Sequence, residues 1–220
     1  MVGGLIRTAR PKQWIKNLLV LAAPGSAGVL THAMPLLRTL VILVAFTLAS
    51  ASTYLLNDTF DAEADRRHPR KRHRPVAAGI VPVWLAVAAG IATALSAVVL
   101  AGVVLGRDSL VLIVCYLALT ACYTAFLKHE PIVELVVVAA GFVLRAVAGG
   151  IAAPVPLSEL FLTVACFASI VMVTGKRIAE QETLGTDGAG HRAVLDLYPE
   201  GFLRLVLGVS VACLLYTSDA

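Results

Sequence analysis

The sequence predicts an all-α fold, a polytopic bundle of transmembrane helices forming a single domain over residues 1–220. Three observations carry this. Hydrophobic residues make up 59% of the chain and charged residues 15%, with a mean hydropathy of +0.86, a balance that excludes an ordinary soluble domain. Apolar runs of roughly the 17–25 residues that a bilayer requires recur along the chain. Lys and Arg gather in alternate loops between those runs, the pattern of a multi-pass protein.

The first expected span, Trp14–Leu30, follows a basic stretch with Arg7, Arg10, Lys12 and Lys16, and Trp14 suits an interfacial anchor. No small-x-small cleavage pattern follows it, so no removable signal peptide is expected. The second, Leu37–Leu56, leads into a loop that is first acidic and then basic. The third, Ile80–Leu105, opens after Pro75 and Gly79, residues suited to a sharp change of direction. Ser109–Leu127, Pro131–Ala153 and Leu157–Thr174 follow. A seventh run, Phe202–Leu215, holds about 14 apolar residues and falls short of a full crossing.

All of the 18 Lys and Arg except Arg38, Arg107 and Arg145 fall on the side of the N-terminus. The positive-inside rule therefore puts the N-terminus and the acidic loop in the cytoplasm. Topology and the anionic bilayer surface account for the net charge of +4, so no nucleic-acid partner is implied. Cys115, Cys122, Cys166 and Cys213 lie in apolar spans without a C-x-x-C pair and read as small packing residues, neither metal ligands nor a disulfide.

The stretch Asn57-Asp58-Thr-Phe-Asp61-Ala-Glu63-Ala-Asp65 is the most informative in the chain. If the helix continues through it, 100° per residue sets Asp58, Asp61 and Asp65 within about a 60° arc while Glu63 points away. Three carboxylates on one face repel unless a cation lies among them, and hard oxygen ligands suit Mg²⁺, which completes its shell with water and substrate phosphate. Asn57 can ligate through its carbonyl or donate to a substrate oxygen. The following Lys71, Arg72 and Arg74 could grip phosphate, Arg being favoured for forked contacts. Metal-holding acids beside phosphate-holding bases at a membrane surface point to a diphosphate substrate. A merely solvated, topology-setting loop is the alternative, and the helical register of the acids speaks against it.

Other polar residues are candidates singly. Lys16 and Asn17 lie deep in the first run, where polar groups are costly without partners. Tyr123 and Lys128 close the fourth span on the cytoplasmic side, as reaction-centre residues or else as an interfacial ring and a snorkelling amine. Arg145 lies about 20 Å along the helix axis from Pro131, so it faces a polar cavity or a partner rather than lipid. Glu134 shares its face but stands about 16 Å away along the axis, too far to pair with it. After the sixth span, Lys176, Arg177 and Glu180 form a third cytoplasmic patch, with a local surface ion pair as the plain alternative.

Asn-Asp-x-x-Asp-x-x-x-Asp after the second span, followed by Arg74-Pro-x-x-x-Gly79, resembles the UbiA-type superfamily of intramembrane prenyltransferases. Arg10-Pro-Lys-Gln-Trp-Ile-Lys-Asn17, Gly141-Phe-Val-Leu-Arg-Ala-Val-Ala-Gly-Gly150 and Thr174-Gly-Lys-Arg177 are similar to its branch that acts on decaprenyl phosphate. The resemblance runs from about Leu5 to Val211. It implies a UbiA-like bundle of about nine helices, of which about seven are expected here, and so a C-terminally truncated chain. It also implies a multi-pass protein of the bacterial cell membrane with the acids binding Mg²⁺. Typical prenyltransferases carry a second Asp-rich motif after the sixth helix; here Lys176, Arg177, Glu180 and Glu182 stand instead.

That departure suits the phosphoribosyl branch, with 5-phosphoribosyl 1-diphosphate as donor, polyprenyl phosphate as acceptor, and a product used for cell-wall arabinan. Lys16, Tyr123, Lys128, Arg145, Lys176 and Arg177 would then serve the phosphates. Prenyl transfer to an aromatic or quinone acceptor is the runner-up. A transporter of phosphorylated lipid is the alternative outside enzymes, and the intact apolar runs oppose it.

Overall fold

The computed structural model describes residues 1–127, 130–184, 198–199 and 201–218, and among these no strand occurs. Among the described residues, five helices are long and apolar enough to cross a membrane: Ala33–Phe60, Val83–Leu105, Arg107–Ala125, Pro131–Ala152 and Glu159–Glu182. The protein is an integral membrane protein of helices, as expected. The first expected span is not one helix. After α1 (Val2–Thr8), a 3₁₀ stretch runs over Pro11–Leu21, then a single short helix α2 (Ala22–Ser26), a turn, and a second 3₁₀ piece at Val29–Thr31. Pro11 and Pro24 remove donors, and Gly28 turns the chain at φ +68°, so the apolar composition of Trp14–Leu30 is kept without α-helical continuity. The last apolar run is likewise shorter than a span.

The second expected span is longer at both ends. Helix α3 covers 28 residues, Ala33–Phe60, and carries Asn57 and Asp58 in its last turn. Short α4 (Ala62–Arg67) and a 3₁₀ turn (Lys71–His73) follow, then α5 (Val83–Leu100), which ends in a π turn, Ala101–Leu105. The remaining helices are α6 (Arg107–Ala125), α7 (Pro131–Ala152), α8 (Glu159–Leu184) and α9 (Phe202–Ser218).

The chain forms two compact units, Met1–Ala121 with Arg145–Pro156, and Cys122–Leu144 with Leu157–Ala220. In the first, α3 and α5 lie against each other, close enough at Gly90 that a Cβ there would stand 2.9 Å from the Leu56 side chain. Leu55, Ala62, Val76, Val81 and Ala86 form a buried cluster with Leu5 and Ala89 against it. These apolar contacts anchor the acidic and basic loop from both sides of its sequence, so its charges are held by packing. At the other end of α3, Arg38 donates to the carbonyls of Ala152 (2.6 Å) and Leu105 (3.1 Å), a cation joining the C-terminal ends of two helical segments.

The 3₁₀ stretch is pressed onto α7 where a glycine allows it: a Cβ on Gly149 would stand 1.7 Å from the Val20 carbonyl oxygen. Backbone cannot yield as a side chain can. Gly149→Ala is therefore expected to lower stability by about 3 kcal/mol, the upper range for overpacking. Thermal unfolding in detergent checks this, and an unchanged midpoint would refute it.

In the second unit α8 and α9 lie side by side. Tyr198 stacks on Phe202 with ring centroids 6.0 Å apart, and its hydroxyl donates to the Pro131 carbonyl.

Candidate active site

The acidic stretch keeps the register that the sequence predicts. Asp61 interrupts the helix with ψ near 0°, yet its N–H donates to the Asn57 carbonyl at 2.9 Å and its own carbonyl accepts from Asp65 N–H at 2.8 Å. The i to i−4 spacing thus runs through the break. Asp58 and Asp65 are buried at 2% and 3% exposure, Asp61 is half-buried, and Glu63 is exposed, bonded only locally to Arg67 at 2.6 Å. Asp61 Oδ2 accepts from Asn57 Nδ2 at 3.2 Å.

The buried acids are held by two arginines. Arg74 Nη1 reaches Asp65 Oδ2 at 2.7 Å and Asp58 Oδ1 at 3.3 Å. Arg10 Nη2 donates to the same Asp58 oxygen at 2.5 Å, and its guanidinium lies 4.9 Å from the centre of the Tyr54 ring. Sequence reasoning counted Arg10 among the topology charges and in the Arg10–Asn17 motif but not among the site residues; its place in an Arg-Pro pair like that of Arg74 was the available signal. Lys71 and Lys16 are half-buried and Arg72 is exposed, while Arg74 meets two of the carboxylates.

Among the described residues no three His, Cys, Asp or Glu stand together as a ready-made metal cage. The acids are parted between Arg74 and Asn57 instead of sharing one centre. Their chemistry nonetheless fits Mg²⁺: Asp58 and Asp65 are buried, hard oxygen donors that converge on a single cationic nitrogen. A dication placed there would meet a charge balance that now takes two guanidinium groups.

Arg145, 7% exposed, meets partner side chains, one of the two surroundings expected for it. Nε donates to Asn17 Oδ1 at 2.8 Å, and Nη2 to Tyr116 Oη at 2.8 Å and Ser50 Oγ at 3.3 Å. The guanidinium also lies 4.8 Å from the Tyr116 ring centre and 5.9 Å from that of Phe46. Asn17, fully buried, donates in turn to Thr47 Oγ1 at 3.2 Å. Buried polar groups are matched here by one another.

The two clusters share a geometric frame. Arg10 to Asn17 spans about 14 Å at the 3₁₀ rise, and Ser50 to Asp58 about 12 Å at the α rise. The 3₁₀ stretch therefore runs antiparallel beside the end of α3, fastened at Asp58 through Arg10 and at Ser50 through Asn17.

In the second unit the expected basic patch is internally neutralised. Arg177, buried, donates to Glu134 and Glu180, and Lys176, exposed, stands 3.5 Å from Glu180 Oε1. Tyr123 Oη donates to Glu134 Oε1 at 3.1 Å. Glu134 is 1% exposed and is the centre of this group. Its role at the centre of this group was missed by sequence reasoning; a lone carboxylate in an apolar span was the signal. Lys128 lies outside the described residues.

The sequence model of the UbiA prenyltransferase family matches residues 18–179. The decaprenyl-phosphate phosphoribosyltransferase of Mycolicibacterium smegmatis is 42% identical over 218 residues, 97% of this chain and 68% of that protein. Its counterpart in Mycobacterium tuberculosis is 43% identical over 215 residues, 96% of this chain and 70% of that protein. Among solved structures, a UbiA homolog from Archaeoglobus fulgidus bound to GPP and Mg²⁺ superposes with a TM-score of 0.77 at 20% identity, over 97% of this chain and 77% of that one.

Proposed function

Because the chain belongs to the UbiA prenyltransferase family, we propose that it moves 5-phosphoribose from 5-phosphoribosyl 1-diphosphate to a polyprenyl phosphate, releasing diphosphate. What carries the choice of reaction is the 42% identity, over nearly the whole chain, to a relative named for it; family membership alone would leave prenyl transfer equally favoured. The enzyme works in a bacterial cell membrane with its N-terminus and acidic loop in the cytoplasm, and its lipid product is a precursor of cell-wall arabinan.

Asp58, Asp61 and Asp65, with Asn57, would hold Mg²⁺, whose charge when bound neutralises the leaving diphosphate. The surrounding bases do the rest of the gripping: Arg10 and Arg74 are within reach of any group seated on the carboxylates, and Lys16, Lys71 and Arg72 add donors for the remaining phosphate oxygens. As the ribose C1–O bond breaks, C1 gains oxocarbenium character, and the fixed carboxylates nearby favour that charge. The acceptor phosphate is an anion at neutral pH, so no general base is needed; it must be positioned and part of its charge offset. Lys176, Lys128 and Tyr123 are the candidates for that in the second unit, where Glu134 holds Arg177 in place. Arg145 acts as a positioning residue, since its donors are engaged by Asn17, Ser50 and Tyr116.

The test uses membranes carrying the protein, ribose-labelled phosphoribosyl diphosphate and polyprenyl phosphate. Label is expected in the organic-extractable lipid with Mg²⁺ and to vanish with a chelator. Label that stays aqueous while a prenyl diphosphate is consumed with an aromatic acceptor would replace this reading by the runner-up.

A further inference from the structure

Two Arg-Pro pairs far apart in sequence, Arg10-Pro11 and Arg74-Pro75, bring their guanidinium groups to one oxygen of Asp58. The geometry is asymmetric. The carboxylates are 2% and 4% exposed at their side chains, while Arg10 and Arg74 are 30% and 27% exposed, so the cations lie on the solvent side of the acids. Each arginine springs from a backbone constrained by the proline after it. Arg10 itself is left-handed, at φ 53° and ψ 63°, a conformation costly for a residue with a Cβ and held here only by its surroundings.

From this we infer that Arg10 and Arg74 are resident counter-cations that keep the acidic site shut to a bare divalent metal and open it to a metal already carrying diphosphate. Resting on the metal reading given above, the argument is one of competition. A bare dication must displace two guanidinium groups from buried carboxylates and leave them facing each other with no anion between. A metal–diphosphate complex brings the anion with it: the guanidinium groups move outward by a rotamer change from carboxylate to phosphate oxygen, and each positive charge keeps a partner throughout. Arg10 has a further reason to move, because the left-handed backbone that aims it at Asp58 is strained. The arginines thereby set the order of binding, and select a ligand with at least two phosphate charges over the free ion.

The experiment measures Mn²⁺ binding to the purified protein in detergent by the loss of the free-ion paramagnetic resonance signal, with and without inorganic diphosphate. Wild type is expected to bind Mn²⁺ weakly alone and much more tightly with diphosphate. Arg10→Gln is expected to bind bare Mn²⁺ roughly tenfold more tightly and to lose most of the gain from diphosphate, within the usual range of coupling between two ligands. Arg74→Lys keeps the charge but not the placement of one guanidinium nitrogen between two carboxylates, and is expected to shift both affinities in the same directions by less. It also serves should Arg10→Gln not fold. If bare-metal affinity in the folded variants equals or falls below that of wild type, the counter-cation role is wrong while the metal site stands. If Asp58→Asn binds Mn²⁺ as wild type does in both conditions, the metal assignment falls and takes this inference with it.

Discussion

Asp58→Ala is expected to reduce phosphoribosyl transfer by on the order of 10³-fold, the scale seen when one preorganised electrostatic stabiliser is removed from an active site. The residue is buried, accepts from both Arg10 and Arg74, and lies one turn from Asp61. Its loss removes a proposed metal ligand and leaves two guanidinium groups without their shared anchor. Those groups are partly exposed and can be hydrated, so the protein should still insert and accumulate. Glu63→Ala is the matched control. Its carboxylate is exposed and meets Arg67 on the same helical turn, an interaction of little consequence, so transfer should be unchanged. Wild-type activity in Asp58→Ala, measured at equal protein level in membranes, would remove the metal assignment.

Arg145→Leu should act differently, on the fold before the chemistry. It takes the donor from Asn17, Tyr116 and Ser50 at once, in a place where water does not replace it. Orphaned buried polar groups cost about 1–3 kcal/mol each in soluble proteins, with smaller values inside membranes because the unfolded chain also finds partners there. A loss of about 3 kcal/mol in all is expected, seen as a lower unfolding midpoint in detergent, with transfer falling alongside. Arg145→Lys keeps the charge but reaches fewer of the three acceptors, and should lie between. In Asp58→Ala activity and stability part company, whereas in the Arg145 series they should move together. Normal stability and normal transfer in Arg145→Leu would show that the buried network fastens nothing.

How far the sequence could be read depended on whether an interaction was local. The register of Asp58, Asp61 and Asp65 and the outward turn of Glu63 follow from helical geometry alone, and they survive even the break at Asp61 because the backbone bonds on either side persist. The depth of Arg145 was legible in the same way. Its partners were not, since Asn17 and Ser50 lie on segments whose approach no spacing rule describes. The pairing of Arg177 with Glu134, 43 residues apart, was hidden for the same reason, and a patch expected to be basic proved to be balanced. The broken first span is a different kind of miss. Hydropathy sums over a window and does not register whether the backbone within it is α-helical, and Pro24 and Gly28 were read as part of an apolar run.

The bond between Asn17 and Arg145 joins residues 128 apart, and that separation has a consequence for biogenesis. A ribosome releases the 3₁₀ stretch and α3 long before it makes α7. During that interval Asn17 and Ser50 lack the guanidinium that later reaches them, and Gly149, against which Val20 rests closely, does not yet exist. The N-terminal segment can meet α3 at that stage through Arg10 with Asp58 and Asn17 with Thr47, but its contacts with α7 form only once α7 is made. The N-terminal segment is thus completed in two stages, first against α3 and last against α7.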